Sequence, residues 1–452
     1  MKKNALRWRR TSVVTAIVAA AGLILSGCST GSSGSDPAKA SSCEPSSGNV
    51  TLQYWNWVPG MDKVIDVWNQ SHPNIQVEMK NISNNSNAQI QNALKANQAP
   101  DLAQISFNSL ASFRSQNSLV DVSACKDAVA AKDSYLPWTW SLTSFNGDGV
   151  FALPQDIGPM ALYYRADLFE QNNLPLPTTW DEYYADAQKI KTIDPNADIT
   201  YFDGSNAEWF NGLVWQKGGT PTSYSDGKWN VSIDDQQSQN VAAYWQKMVD
   251  NKLVRTDLKG NSAPLYNAFS TGQLWSYVGA AWGYSLLRDN VPDGAGKWRV
   301  LQMPSWDAGG NRAGNWGGSS VAFMAGGKHV YEAVKFNNWL NSDPTALKME
   351  NDLGGLFPAA TAGEQLASFQ SGVPYYGDQK IFDVFSKSAS NIDTSWQWGP
   401  TQTAADTALA NGLTKAAGGD GQLSDALTAS QNAAVSAMKA LSIPVATGSA
   451  TK

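Results

Sequence analysis

Cysteine and histidine are scarce, three and two in a chain of 452 residues. No Cys/His cluster exists to supply a zinc ligand set, and neither a metal nor another cofactor is expected. There is no basic block and the net charge is −6, which argues against a nucleic-acid partner. Beyond the N-terminal region no apolar run is long enough to span a bilayer. Beyond that region the chain also lacks a GxSxG elbow, an HExxH pair, a P-loop and an EF-hand-like loop.

The N-terminus is different in kind. Lys2, Lys3, Arg7, Arg9 and Arg10 precede an apolar run over 13–25, which is too short for an ordinary transmembrane helix. The run ends in Leu25-Ser26-Gly27-Cys28, which resembles a bacterial lipobox. That resemblance implies a lipoprotein signal peptide over 1–27, with Cys28 as the lipid anchor that holds the mature chain on the outer face of the cell membrane. Residues 28–48 are rich in Ser, Gly and Pro and read as a flexible tether. Two cysteines remain, Cys43 and Cys125. In an exported protein they are candidates for one disulfide, which would pin the end of the tether to the domain.

Tryptophan is abundant, with 19 in the chain. An indole offers a broad apolar face and one N–H donor. Sugar rings present apolar C–H faces edged by hydroxyls, so Trp beside Asn, Asp and Gln suits a carbohydrate site. The stretch 50–60, VTLQYWNWVPG, alternates like a strand and carries Trp55 and Trp57 at its end. On a strand both rings share a face, and a strand end in an α/β protein is where ligands bind. Both rings as core residues is the competing reading.

About 400 residues remain after the tether, which favours two domains. Residues 61–71 have helical spacing through Val64, Val67 and Trp68, and Ile75, Val77 and Met79 alternate as a strand. A helix over 88–97 and a strand over 102–107 follow. This β-α-β-α-β rhythm predicts a largely parallel sheet. A helix is predicted over 175–190, and Thr179 and Glu182 within that stretch have capping-box spacing. Further helices are predicted over 234–253, 328–341 and 403–441, the last interrupted near Gly418-Gly419.

Several dispersed blocks carry a family resemblance. WNQSHPNIQVE, ALKANQAPDLAQIS and NSLVDVSA, then VFALPQDIGPMALYYRADLFEQNNLPLPTTWDEYYADAQKI, then GLVWQKGG, NWGGSSVAF and GGLFPA resemble the extracellular solute-binding proteins of bacterial ABC importers, in the subgroup that mostly carries sugars. Arg165 stands where that family usually has Asn. The resemblance implies an α/β, two-lobed periplasmic-binding-protein fold of type II kind, hinge-linked, with the ligand cleft between lobes. It implies a first lobe over 49–157, with about 325–375 returning to it, and a second mainly over 158–324. Helices over 376–441 would lie near the hinge, followed by a disordered tail over 442–452. The implied partners are an oligosaccharide and the transmembrane subunits of a permease, with the protein itself a monomer.

Candidate ligand contacts follow from the resemblance and the residue types together. They are Trp55, Trp57, Asn108, Asp156, Trp209, Trp282, Tyr284, Asn315, Trp316 and Asp393. Trp282, in a turn after a short strand, is the leading stacking ring, and Gly279 and Gly283 beside it allow close approach of backbone or ligand. A carboxylate such as Asp156 can accept two sugar hydroxyls at once, or it can serve a turn. Trp215 suits a buried position, and Trp396 and Trp398 read more readily as structure. Few charges sit among these contacts, so a neutral oligosaccharide is expected. The rival class is a secreted glycoside hydrolase, which needs two carboxylates flanking one bond. Asp156, Asp203, Glu208 and Asp393 could supply a pair, but no spacing singles one out, and a binding protein without chemistry is the favoured reading.

Overall fold

A computed structural model describes residues 38–40, 42–82 and 87–446. The expected signal peptide, Cys28, the start of the tether and residues 447–452 lie outside the described residues. Eight strands build the two main sheets: β1 (Val50–Asn56), β2 (Ile75–Asn81), β3 (Leu102–Ser106), β4 (Ala152–Asp156), β5 (Met160–Arg165), β6 (Ser276–Ala280), β7 (Trp298–Gln302) and β8 (Ser319–Phe323). The helices used below are α1 (Met61–Ser71), α2 (Asn87–Lys95), α3 (Phe107–Ser115), α4 (Trp180–Ile193), α5 (Ala207–Lys217), α6 (Gln236–Asp250), α7 (Val330–Ser342), α8 (Pro344–Gly354), α9 (Gln402–Ala417) and α10 (Leu423–Ala440).

The first sheet runs β2-β1-β3-β8-β4. β1 pairs parallel with β2 and β3, whereas β8 lies antiparallel between β3 and β4. The sheet is therefore mixed where the chain rhythm predicted it largely parallel. The reason is that β8 enters from far down the sequence, beyond the reach of local β-α-β logic. It also means that the end of the 158–324 stretch sits in the first lobe.

The second sheet runs β6-β5-β7, with β5 antiparallel to both neighbours. Its edge is extended by residues 198–201 beside β6, where Ser276 N–H donates to the Ile199 carbonyl at 2.7 Å. Val254–Arg255 then pairs parallel with Thr200–Tyr201. Both sheets thus have one order: second strand, first, third, an antiparallel strand, then the fourth. In each sheet the antiparallel strand is the one that follows directly after the chain leaves the other sheet. Strands β4, β5, β6 and β8 are buried along their whole length, as sheets covered by helices on both faces require.

Most local expectations hold. α1 begins and ends where its spacing places it. The capping box at α4 is formed, with Glu182 N–H donating to Thr179 Oγ1 at 3.2 Å and Thr179 N–H to Glu182 Oε2 at 3.1 Å, so the helix starts at Trp180 and not at 175. α9 and α10 are separate helices broken around Gly418 and Gly419. Arg165 is buried and binds the Asp167 carboxylate at 2.7 and 2.8 Å and the Phe269 carbonyl at 3.1 Å, so it ties the end of β5 into the second lobe.

Two terminal expectations change. The disulfide Cys43–Cys125 is formed, with Cα atoms 5.1 Å apart. However, the stretch read as a tether is fastened from Ala38 onward. Ala38–Lys39 pairs parallel with Val120–Asp121, and Ser46 N–H and Oγ–H donate to the Glu332 carboxylate at 2.7 and 3.1 Å. At the other end, residues 442–446 were expected to be disordered. Trp229 N–H donates to the Pro444 carbonyl at 2.9 Å and Ala446 N–H to the Trp229 carbonyl at 2.8 Å, so the chain adds a short edge pairing there. In both cases backbone pairing supplies the order that side-chain composition did not suggest.

Candidate ligand-binding cleft

Three segments cross between the sheets, one after β4, one ahead of β8 and one after α8 from Gly355, and they bond to one another. The first follows β4. Trp316 N–H donates to the Gly158 carbonyl at 2.8 Å, and Met160 N–H donates to the Gly314 carbonyl at 2.9 Å. Ile157 N–H donates to the Phe357 carbonyl and Ala359 N–H to the Gln155 carbonyl, each at 2.9 Å. Asn315 holds the arrangement with its side chain: Oδ1 accepts from Gly158 N–H at 2.9 Å and Nδ2 donates to the Gly317 carbonyl at 2.8 Å. Gly158 has no alternative, because a Cβ there would lie 1.9 Å from the Trp316 carbonyl oxygen. Gly317 and Gly318, at φ 82° and 93°, supply the left-handed turn that brings the second crossing into β8.

Trp282 sits on this junction. It stands at the end of β6, and its Nε1–H donates to the Trp316 carbonyl at 3.1 Å. The two indoles meet edge to face with centroids 4.5 Å apart. Trp282 remains half-buried, while Trp316 is buried.

A polar network joins the lobes beside the junction. Asn108 lies in the first turn of α3, just beyond β3, and Glu208 lies in the first turn of α5, just beyond the short strand of the second sheet. Asn108 Nδ2 donates to Glu208 Oε1 at 2.5 Å. Asp406, on α9, accepts from Asn211 Nδ2 at 3.0 Å and from Gln402 Nε2 at 2.8 Å. Asn108, Glu208 and Asp406 are all half-buried. Burial pushes the Glu208 carboxyl up to about 7, and the neighbouring Asp406 adds to the shift. Burial likewise raises Asp406 to about 6, against the pull of the Gln402, Asn211 and Asn108 amides. Two carboxyls and three amides from three helices therefore form a rim of acceptors and donors without a compensating cation among these partners. Such a rim can exchange its internal hydrogen bonds for those of a hydroxyl-rich ligand.

The other sequence candidates fall into different surroundings. β1 ends at Asn56, so Trp55 and Trp57 do not share a strand face. Trp55 is buried with Lys80 Nζ 3.8 Å above its ring, and Trp57 is half-buried with its N–H donating to Gln104 Oε1 at 3.2 Å. Asp156 is buried, accepts from Ser319 Oγ, and is raised to about 6 by its burial. Trp209 packs on Trp245 at 4.8 Å and donates to the Val278 carbonyl at 3.0 Å, at the floor of a small depression also lined by Tyr201, Asp203 and Asn206. Tyr284 is buried against Phe382. Gly279 and Gly283 make room for the Tyr277 ring. Asp393 serves Ser395 N–H at 2.8 Å and pairs with Arg312 at 3.8 Å. Trp396 stacks on Trp215 at 4.8 Å, and Trp138 meets Trp215 edge to face.

The sequence reading missed Asp406, Asn211 and Gln402 as cleft candidates and considered Glu208 only as a carboxylate of the rival hydrolase. Gln402 and Asp406 stand one helical turn apart in an Ala-rich helix, and that i, i+4 polar pair was the available signal. Among the described residues no group of three His, Cys, Asp or Glu side chains is placed to hold a metal ion. No helix among them is long and apolar enough to cross a membrane.

The sequence model of the bacterial extracellular solute-binding proteins matches residues 54–346. A curated relative, the arabinooligosaccharide-binding protein of Bacillus subtilis (strain 168), is 20% identical over 328 residues, which are 70% of this chain and 72% of the relative. Among solved structures, the galacto-N-biose-/lacto-N-biose I-binding protein of an ABC transporter from Bifidobacterium longum, in complex with lacto-N-biose, superposes with a TM-score of 0.80 at 25% identity. The match covers 89% of this chain and 100% of that one. An ABC-transporter-associated binding protein from B. animalis subsp. lactis Bl-04, in complex with beta-1,6-galactobiose, gives a TM-score of 0.75 at 27% identity, covering 88% and 99%.

Proposed function

Because the chain belongs to the bacterial extracellular solute-binding protein family, we propose that it captures a neutral oligosaccharide between its lobes and delivers it to the permease of an ABC importer. The observation that carries this reading is the half-buried network of Asn108, Glu208 and Asp406, contributed by both lobes and by α9 at the mouth between them. Trp57 and Trp282 are the half-buried indoles proposed to stack on the ligand, with the amides and carboxyls binding its hydroxyl rim. Ligand that bridges both lobes favours the closed form by its differential affinity for that form. The lipid anchor at Cys28, the monomeric state and the absence of catalysis belong to the same proposal. The rival hydrolase reading would need a free pair among Asp156, Asp203, Glu208 and Asp393, and each already has a partner: Asp156 accepts from Ser319 Oγ and Glu208 from Asn108 Nδ2. Asp203 already accepts from Ser205, Lys259 and Gly260, and Asp393 is engaged as described above.

The test is tryptophan fluorescence of the purified protein titrated with neutral mono- and oligosaccharides, with product analysis on the same samples. A saturable change with one oligosaccharide class and no cleavage is expected. Cleavage of the bound sugar, or a response to peptides with none to sugars, would overturn the proposal.

A further inference from the structure

A second polar cluster lies behind the cleft, within the first lobe, and plays no part in the proposed binding. Glu350 on α8 and Gln155 on β4 are both 1% exposed. Gln155 Nε2 donates to Glu350 Oε1 at 2.8 Å. The remaining oxygens of the same two groups, Gln155 Oε1 and Glu350 Oε2, are buried without a hydrogen-bond partner. An amide facing an ionised carboxylate can give it only its N–H donors, which leaves the amide oxygen without a donor from that partner, and both leftover oxygens here lack one. An amide facing a carboxylic acid instead completes two antiparallel hydrogen bonds, N–H to carbonyl oxygen and O–H to amide oxygen.

The groups that face Glu350 offer it no counter-charge. They are Asp156 on β4, Tyr54 on β1 and Tyr135 ahead of the helix at Pro137–Ser144. None is a cation, and a buried carboxylate without a cationic partner is strongly disfavoured. Burial pushes the Glu350 carboxyl well above the usual range against the pull of the Gln155 amide, and Asp156 pushes it further.

We propose that Glu350 is a neutral carboxylic acid at neutral pH, its Oε2–H donated to Gln155 Oε1, and that this acid–amide pair is a proton-dependent latch between α8 and β4 behind the hinge. Its position gives it consequence. Gln155 also accepts Ala359 N–H through its carbonyl, and α8 leads directly into the third crossing at Gly355. Loss of the proton leaves a buried anion that must be hydrated, which separates α8 from β4 where two crossings leave the first lobe.

The experiment compares the wild-type protein with Glu350→Gln, an uncharged isostere, by urea unfolding between pH 6 and pH 9. The native state holds a proton that the unfolded state has released, so stability falls as pH rises. The ratio of unfolding constants, wild type over variant, is expected to rise about tenfold per pH unit until the native acid ionises. Infrared spectra of the Glu208→Gln protein with isotope-labelled glutamate supply the second reading, which keeps Glu350 in place and removes the other glutamate raised to about 7. A protonated-carboxyl stretch at pH 7 is expected. Parallel pH profiles, or no protonated-carboxyl band at pH 7, would overturn the proposal and leave an ionised Glu350 bridged through water.

Discussion

Breaking the Cys43–Cys125 bond tests how the N-terminal segment is held. The two cysteines are 82 residues apart in sequence. In the chain-entropy account, opening a loop of that size releases unfolded-state freedom worth about 4.5 kcal/mol at 25 °C. The native contacts that would remain on the same segment are few: the two-residue pairing at Ala38–Lys39, the Ala40 N–H to the Asp121 carbonyl at 3.0 Å, and Ser46 on Glu332. They cannot replace the loss, since hydrogen bonds contribute about 1 kcal/mol each. The variant pair Cys43→Ser and Cys125→Ala is suitable, because Cys125 is 1% exposed and a hydroxyl there would be unpaired. Urea unfolding of this double variant should show a stability loss on the order of 4 kcal/mol, and wild type under reductant should match it. Sugar affinity should be unchanged, because neither cysteine bonds to Asn108, Glu208 or Asp406. An unfolding midpoint within experimental scatter of the oxidised wild type would refute the reasoning and show that the unfolded chain is not constrained by the loop.

Asn108→Ala removes the bond between lobes and leaves Glu208 without its donor. Fluorescence titration should show sugar affinity weakened about tenfold, equivalent to roughly 1.4 kcal/mol. Glu208 and Asp406 take up protons on folding, since burial raises them from 4.5 and 3.8 to about 7 and about 6. Their contribution to stability is therefore greatest below pH 4 and falls as pH rises to 7, and Glu208→Gln should flatten its share of that slope in urea midpoints. Gly158→Ala drives a methyl into the Trp316 carbonyl, and urea unfolding should register a loss of at least about 2 kcal/mol. Thr179→Ala removes the α4 cap at a loss of about 1 kcal/mol, without effect on sugar binding.

The elements that could be read from the sequence were those with local causes. α1 is fixed by helical spacing and α4 by a capping box that Thr179 and Glu182 form within one turn. The parallel arrangement of β1, β2 and β3 follows from alternating strands and helices. What escaped depends on contacts between distant residues. β8 enters the first sheet beside β3, where Ser319 pairs with Ser106. The cleft network likewise spans separations of 100 residues from Asn108 to Glu208 and 195 from Asn211 to Asp406. No window of sequence contains both ends of such a bond, so only tertiary structure reveals it.

Tryptophan shows the same limit from the other side. Its abundance suggested stacking rings, yet Trp68, Trp180, Trp215, Trp245, Trp298 and Trp396 are fully buried. Four of them pack on one another, Trp180 on Trp245 at 5.9 Å and Trp215 on Trp396 at 4.8 Å, while Trp68 meets Phe336 and Trp298 meets Phe269 edge to face. Indoles of this kind fill wide gaps between helices and sheets, so composition counted core material as well as binding surface. The distinction lies in exposure at the strand ends, where Trp57 and Trp282 keep part of their surface. With so few open rings, selectivity in the proposed cleft rests on the direction of its hydrogen bonds. The carboxyls accept and the amides both donate and accept, so epimers that move one hydroxyl should be separated more sharply than ligands that differ only in apolar face.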